Sequence, residues 1–144
     1  MRINGTWHAG DDGVVRPVMF GEILAANDFW LQTPFLLDIG ADRTVFSAGV
    51  LAMLGYQPIE VHERLCGLGG VTDAVAVETR IKLICEDDKA IVFHGQYAAV
   101  TQLEALDMSV LGRDILHLFG VIVDQPNDLV CMLRPPHRYR IEKM

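Results

Sequence analysis

A chain of 144 residues, 51% hydrophobic and 22% charged, is long enough to bury one core and too apolar to be disordered. Twelve Lys and Arg against 19 Asp and Glu leave a net charge of −7, which excludes the broad basic footprint that a nucleic-acid partner demands. No apolar run approaches the ~20 residues that span a bilayer, and Met1–Thr6 leads into polar Asp11-Asp12-Gly13 without an apolar leader, so no membrane partner is expected.

Residues 1–13 read as a loosely held lead-in. A strand is expected over Val14–Phe20, continuing at Ile23-Leu24 beyond Gly21, and a second over Phe29–Leu37, with Asn27-Asp28 turning the chain between them. Ser47 is placed to cap a short helix whose buried side carries Val50, Leu51 and Leu54, and Gly55 ends it. A long β stretch follows from Ile59 to Ile84, broken at Gly67-Leu68-Gly69-Gly70. In its second half Val75, Val77, Thr79, Ile81 and Leu83 keep the period of two that marks a strand with one buried face. Glu86–Lys89 is a polar turn into a strand at Ala90–Phe93. Ile115, Leu116, Leu118 and Phe119 recur at helical spacing until Gly120, and Val121–Val123 and Leu129–Leu133 read as closing strands. Arg134, His137, Arg138, Arg140 and Lys143 make residues 134–144 a basic tail or strand, read as solvated. The sum is one all-β domain with short helices over residues 14–133, without repeats or a linker.

Chemistry concentrates at Asp38-Ile39-Gly40-Ala41, which directly follows the apolar run Phe35-Leu36-Leu37. An aspartate between a strand end and a glycine is held with its carboxylate out of the sheet. One carboxylate is half of an acid/base pair. Asp107 and Asp114 are the candidates for a second one within the chain, but Asp114 sits where stabilising a helix N-terminus explains it. The three cysteines, Cys66, Cys85 and Cys131, leave one unpaired and lack Cys-x-x-Cys spacing, and the five histidines have no ligand spacing. A reducing, cytoplasmic setting follows, with no metal or organic cofactor expected. Cys66 beside His62 offers a nucleophile on a poor platform, and Gly67-x-Gly69-Gly70 lacks the Gly-Lys-Ser/Thr ending of a phosphate loop.

Three segments in this order resemble the retroviral-type aspartic proteases, the retropepsin-like family. Phe35–Val45 is similar to the catalytic turn, Leu65–Val71 to the glycine-rich flap tip, and Ser109–Leu116 to the Gly-Arg-Asp/Asn segment that opens the late helix. The resemblance implies a single-lobe closed β barrel with a flap hairpin, and a homodimer in which Asp38 faces its own copy. Two carboxylates so close share one proton, activate a water and hydrolyse a peptide bond in an extended polypeptide. It also implies Ile39, Gly40 and Ala41 as the active-site turn and Asp42, Gly67, Leu68, Gly69 and Gly70 as substrate contacts. Thr44, Gly112, Arg113 and Asp114 are implied as supports, with Arg113 pairing with Asp42. The flap would close over the substrate and exclude water, and apolar Leu68, Val71, Val110 and Ile115 imply apolar subsites.

Ile39 departs from the pattern. The family carries threonine or serine here, whose hydroxyl bonds across the two-fold axis, and isoleucine has neither donor nor acceptor. Two readings other than a general endopeptidase therefore stand beside it. One is a catalytically weak or inactive homodimer that binds peptides or scaffolds a complex. The other is a protease that processes only itself or one dedicated partner.

Overall fold

The computed structural model describes residues 1–57, 59–67, 70–138 and 140–142, with backbone alone for 59–64 and 66–67. Alternation of inward apolar and outward polar residues builds the central strands. In β3 (Val15–Leu24) Met19, Gly21 and Ile23 point inward, and in β4 (Trp30–Leu37) Thr33, Phe35 and Leu37 do. Asp28, with φ 67°, turns the chain between them. After β5 (Val45–Phe46) the helix α1 (Ala48–Leu54) begins with Ser47 Oγ accepting the Val50 N–H at 3.3 Å, and Gly55 ends it at φ 74°. Ala48 and Leu54 are its buried residues, while Val50 and Leu51 are half-buried against the core.

β6 (Ile59–Gly67) and β7 (Gly70–Ile84) form a hairpin, and β7 continues as the longest strand. Val77, Thr79, Ile81 and Leu83 are buried on its inner face and Val75 is half-buried. The one polar member, Thr79, is accommodated because its hydroxyl donates to Leu24 O at 2.6 Å, an oxygen that Tyr56 Oη also reaches at 2.6 Å. β8 (Ala90–Val100) pairs with β7 from Ile84↔Ala90 to Ala74↔Val100. It is far longer than the segment Ala90–Phe93 read from sequence, because the unbroken β7 ladder carries the chain through polar His94-Gly95-Gln96.

β9 (Ser109–Leu111), α2 (Arg113–Leu116), β10 (Gly120–Asp124) and β11 (Leu129–Leu133) complete the chain. α2 stops short of the apolar pattern that ran on to Phe119. Leu118 N–H bonds to Ile115 O at 3.1 Å and Phe119 N–H to Leu116 O at 3.1 Å, so the last turn tightens to i→i+3 bonding. Phe119 then meets Phe93 edge-on, with ring centroids 6.1 Å apart.

Residues 1–13 are not a loose lead-in. β1 (Arg2–Asn4) pairs antiparallel with β11, and β2 (Thr6–Ala9) with β3. Ile3 is 2% exposed and belongs to the core, and Trp7 Nε1 donates to Leu129 O at 3.2 Å. Strands of three and four residues are too short to show a period, and the partner of β1 lies at the far end of the chain. Arg2–Asn4 and Thr6–Ala9 are therefore part of the folded sheets.

Among the described residues two sheets form: β1-β11-β10, and β2-β3-β4-β9-β5-β8-β7-β6. The larger one curls until β3 meets β7 at Glu22↔Lys82 and Ile23↔Ile81, a partially closed barrel. The seam is reinforced where Lys82 Nζ lies 3.0 Å from Glu22 Oε2 and 4.1 Å from the Trp30 ring centroid. Within the barrel Phe35, Phe46 and Tyr97 stack in series, with centroids 6.4 and 5.6 Å apart. Among the described residues no helix is long and apolar enough to cross a membrane. Cys85 and Cys131 are buried with free thiols, and residues 134–138 and 140–142 of the basic tail form no strand, Lys143 lying outside the described residues.

Burial first, and then the nearby Asp114 charge, pushes the Tyr97 phenol up to about 12 from 10.0. The folded chain thus keeps this proton over a range where the unfolded chain gives it up, so stability falls as pH rises from about 10 toward about 12. Spectrophotometric titration should show a late phenolate step near pH 12 that Tyr97→Phe removes. Ionisation of every tyrosine together near the ordinary phenol value would contradict this packing.

Candidate active site

β4 runs directly into Asp38, and β9 lies parallel beside it in the register Phe35↔Ser109, Leu36↔Val110 and Leu37↔Leu111. A parallel pair needs a long crossover, and here residues 38–108 supply it as the turn, β5, α1, the hairpin and β8. The two glycine-bearing segments that stand far apart in sequence thereby become neighbours. The ladder continues one step further, where Asp38 N–H donates to Leu111 O at 3.2 Å.

The turn itself is held at Asp38, Gly40 and Ala41. Gly40 N–H donates to Asp38 Oδ1 at 2.9 Å, which fixes the carboxylate, and Ala41 N–H donates to Asp38 O at 3.1 Å. Arg113 N–H donates to Ala41 O at 2.9 Å, joining the turn to the start of α2. Asp38 is half-buried, Gly40 is exposed, and Ile39 is 68% exposed. On the outside Arg113 and Asp42 form an ion pair between two exposed side chains.

Next to the turn lies a hydrogen-bonded clasp between a buried threonine and an exposed aspartate. Thr44, 0% exposed, donates from Oγ1 to Asp114 Oδ1 at 2.7 Å and accepts from Gly112 N–H at 3.2 Å. Thr44 N–H reaches both Asp114 carboxylate oxygens at 3.0 Å, and Ile115 N–H donates to Asp114 Oδ1 at 3.0 Å. Asp114 therefore does stabilise the first turn of α2, but it also spans to the strand after the Asp38 turn, which helix position alone did not reveal. Three bonds converge on its Oδ1 and a shared one on Oδ2, so in this chain it braces the turn. Gly112 has no room for a side chain: a Cβ there would lie 2.3 Å from Arg43 C and 2.8 Å from Thr44 N. Next to the clasp, Ser109 Oγ accepts Ser47 N–H at 3.0 Å, tying β9 to the cap of α1. Sequence reading gave Ser109 no such role, and the adjacent apolar-Gly motif was the only hint.

The other candidates separate. In the β6–β7 hairpin Cys66 pairs with Val71 and Gly67 with Gly70, and Gly70 adopts φ 111°, a value that disfavours any side chain. Leu68 and Gly69 lie outside the described residues. Of the apolar wall residues, Val71 is exposed, whereas Val110 and Ile115 are buried, Ile115 within the core. Asp107 acts on Arg16, whose charged form is favoured first by its hydrogen bond to Asp12 and more weakly by Asp107. His117 is exposed, with Nδ1 against Arg113 O. No three His, Cys, Asp or Glu side chains gather as a metal site among the described residues.

Solved structures carry the same architecture. A retropepsin-like aspartic protease from Rickettsia conorii superposes with a TM-score of 0.58 at 18% identity, covering 91% of this chain and 96% of that one. An inhibitor complex of the EIAV protease gives a TM-score of 0.51 at 24% identity, covering 71% of this chain and 86% of that one. The fold is retropepsin-like. No protein-family model matches the chain, and neither does any curated protein. In this retropepsin-like fold Asp38 stands on the turn between β4 and β5, and Gly112-Arg113-Asp114 stands between β9 and α2.

The clasp makes two stability predictions. Thr44→Val removes a buried donor and leaves the Gly112 N–H without its acceptor, so urea unfolding should show a loss of about 1–3 kcal/mol. Thr44→Ser should recover most of it. Gly112→Ala should cost about 1–3 kcal/mol or prevent folding, since the obstructing atoms are backbone. Wild-type stability in either Val or Ala variant would mean that the clasp does not hold the turn.

Proposed function

We propose that this protein is an aspartic endopeptidase whose active site forms between two copies of the chain, each supplying Asp38. The observation that carries the reading is a carboxylate fixed on a braced turn, Gly40 N–H on Asp38 Oδ1 and Asp38 N–H on Leu111 O, within a retropepsin-like fold. Each folded chain in this reading is one half-site, running from β1 to β11.

Two Asp38 carboxylates a few ångströms apart hold one proton between them, because ionising both sets like charges side by side. The ionised member takes a proton from a water lying between them, and the protonated member hydrogen-bonds to the scissile carbonyl oxygen. The resulting hydroxide equivalent forms the new C–O bond as the carbonyl π pair moves to oxygen. Collapse of this tetrahedral intermediate breaks the C–N bond, and the leaving nitrogen takes up the proton the dyad gained. The apparent pKa values belong to the pair and not to one Asp38. Asp42 with Arg113, and the hairpin ending at Gly67 and Gly70, are assigned to the substrate backbone, which would lie as an added strand. Leu68 and Gly69 share that assignment. Buried free Cys85 and Cys131 support a reducing, cytoplasmic setting.

The alternative, a homodimer that binds peptides or scaffolds a complex without cutting, is favoured by Ile39, which lacks the hydroxyl found there in the family. Cleavage of a diverse peptide library from pH 4 to 7.5 separates the two. Asp38→Asn should lower kcat/KM by about 10²–10⁴-fold, and specific activity should fall on dilution of the wild type. A folded dimer without Asp38-dependent cleavage would move the assignment to the binding protein.

A further inference from the structure

The small sheet carries an edge that the Asp38 turn does not use. β10 pairs with β11 on one side, in register from Gly120↔Leu133 to Asp124↔Leu129, and no strand lies on its other side among the described residues. Alternate N–H and C=O groups along that side therefore point away from the sheet. Edges are usually blunted by charge, proline or a bulge. β10 has none of these within Val121-Ile122-Val123, three β-branched apolar residues in unbroken register. The chain beyond β11 turns back and stands off from this edge. A cavity of about 580 Å³ separates them, lined by Gly120–Asp124 and Leu133 on one side and by Arg140 and Ile141 on the other. His137 anchors the outer wall: its ring lies over Gly120, where a Cβ would come within 2.7 Å of Nε2.

We propose that this slot binds an extended acidic peptide, which adds to β10 as a further strand. The edge supplies main-chain hydrogen bonds, the recognition mode of strand addition, and the volume falls in the range of ~300–1,000 Å³ common to ligand sites. The slot runs along the whole backbone of β10, which suits a peptide and exceeds what a small anion fills. Charge selects the class. Residues 134–141 carry three arginines and no acid, in a chain whose net charge is −7. Arg140 Nε lies 3.3 Å from Glu142 Oε1, an exposed ion pair that an incoming carboxylate can replace. On the opposite wall the Asp124 carboxylate is taken up by Asn127, whose Nδ2 donates to Oδ2 at 2.7 Å and whose N–H donates to Oδ1 at 3.3 Å. Val123 and Ile141, 47% and 89% exposed, add apolar surface on either side of the slot, so apolar residues should alternate with the acids. The site shares no residue with the Asp38 turn and stands apart from the protease reading.

Fluorescence anisotropy with a labelled peptide of alternating glutamate and valine tests this, on the Asp38→Asn protein so that cleavage plays no part. The controls are a peptide with lysine in place of glutamate and an N-methylated form that lacks the main-chain donors. The glutamate peptide should bind at least about 10-fold tighter than either control and weaken as salt rises. Arg140→Glu should weaken it about 10-fold, whereas Arg140→Lys should stay within about 3-fold of the parent protein. Because Arg140 is exposed, circular dichroism should find both variants folded. Bound peptide should also slow hydrogen exchange along Val121-Ile122-Val123. No binding up to about 1 mM, equal binding of either control, or indifference to Arg140→Glu would each overturn the site. Asp38-dependent cleavage is read on separate samples, and its presence or loss leaves this result unchanged.

Discussion

Much of the candidate site hangs on the bonds among Thr44, Gly112 and Asp114. The Thr44 hydroxyl, donating to Asp114 and accepting from Gly112, joins the segment after the Asp38 turn to the segment before α2. Thr44 is buried, and its hydroxyl and N–H are satisfied by the exposed Asp114 carboxylate, which also accepts from Ile115 N–H. Gly112 permits the close approach that the bonds require, since its missing side chain leaves space for the backbone of Arg43 and Thr44. Loss of any one member leaves the others with unmet bonds, so the clasp acts as a unit.

The barrel explains why the clasp can exist. Parallel pairing of β4 with β9 places Leu37 beside Leu111, and a single further hydrogen bond carries the order into Asp38. β5 enters between β9 and β8, which delivers Thr44 to the same place from the opposite direction. The aromatic series Phe35, Phe46 and Tyr97 fills the space below, so the turn rests on packed rings. The carboxylate is thus placed by a sheet and a core, whereas β6 lies at the edge of the larger sheet, paired with β7.

The polar groups around Asp38 are bonded inward, while the apolar Ile39 is exposed on the turn. Hydrogen bonds to Leu111 O, Asp38 Oδ1 and Asp38 O therefore give this turn its shape without help from the Ile39 side chain.

The sequence by itself determined the strands with clear alternation, the Ser47 cap and Gly55 stop of α1, and the turn chemistry at Asp38 and Gly112, because these are local consequences of side-chain period and backbone freedom. The motif order also pointed to the retropepsin-like fold. Tertiary structure alone decided the rest. Arg2–Asn4 and Thr6–Ala9 look featureless in sequence yet form β1 and β2, because β1 pairs with the distant β11 and both strands are too short to show a period. β8 extends through polar residues on the strength of the β7 ladder, and α2 ends early as its last turn tightens. Asp114 reads locally as a helix-terminal acid, and only the three-dimensional meeting of β5, β9 and α2 makes it the partner of Thr44. Local rules are written residue by residue, whereas long-range hydrogen bonds and burial depend on which distant segments the folded chain brings together.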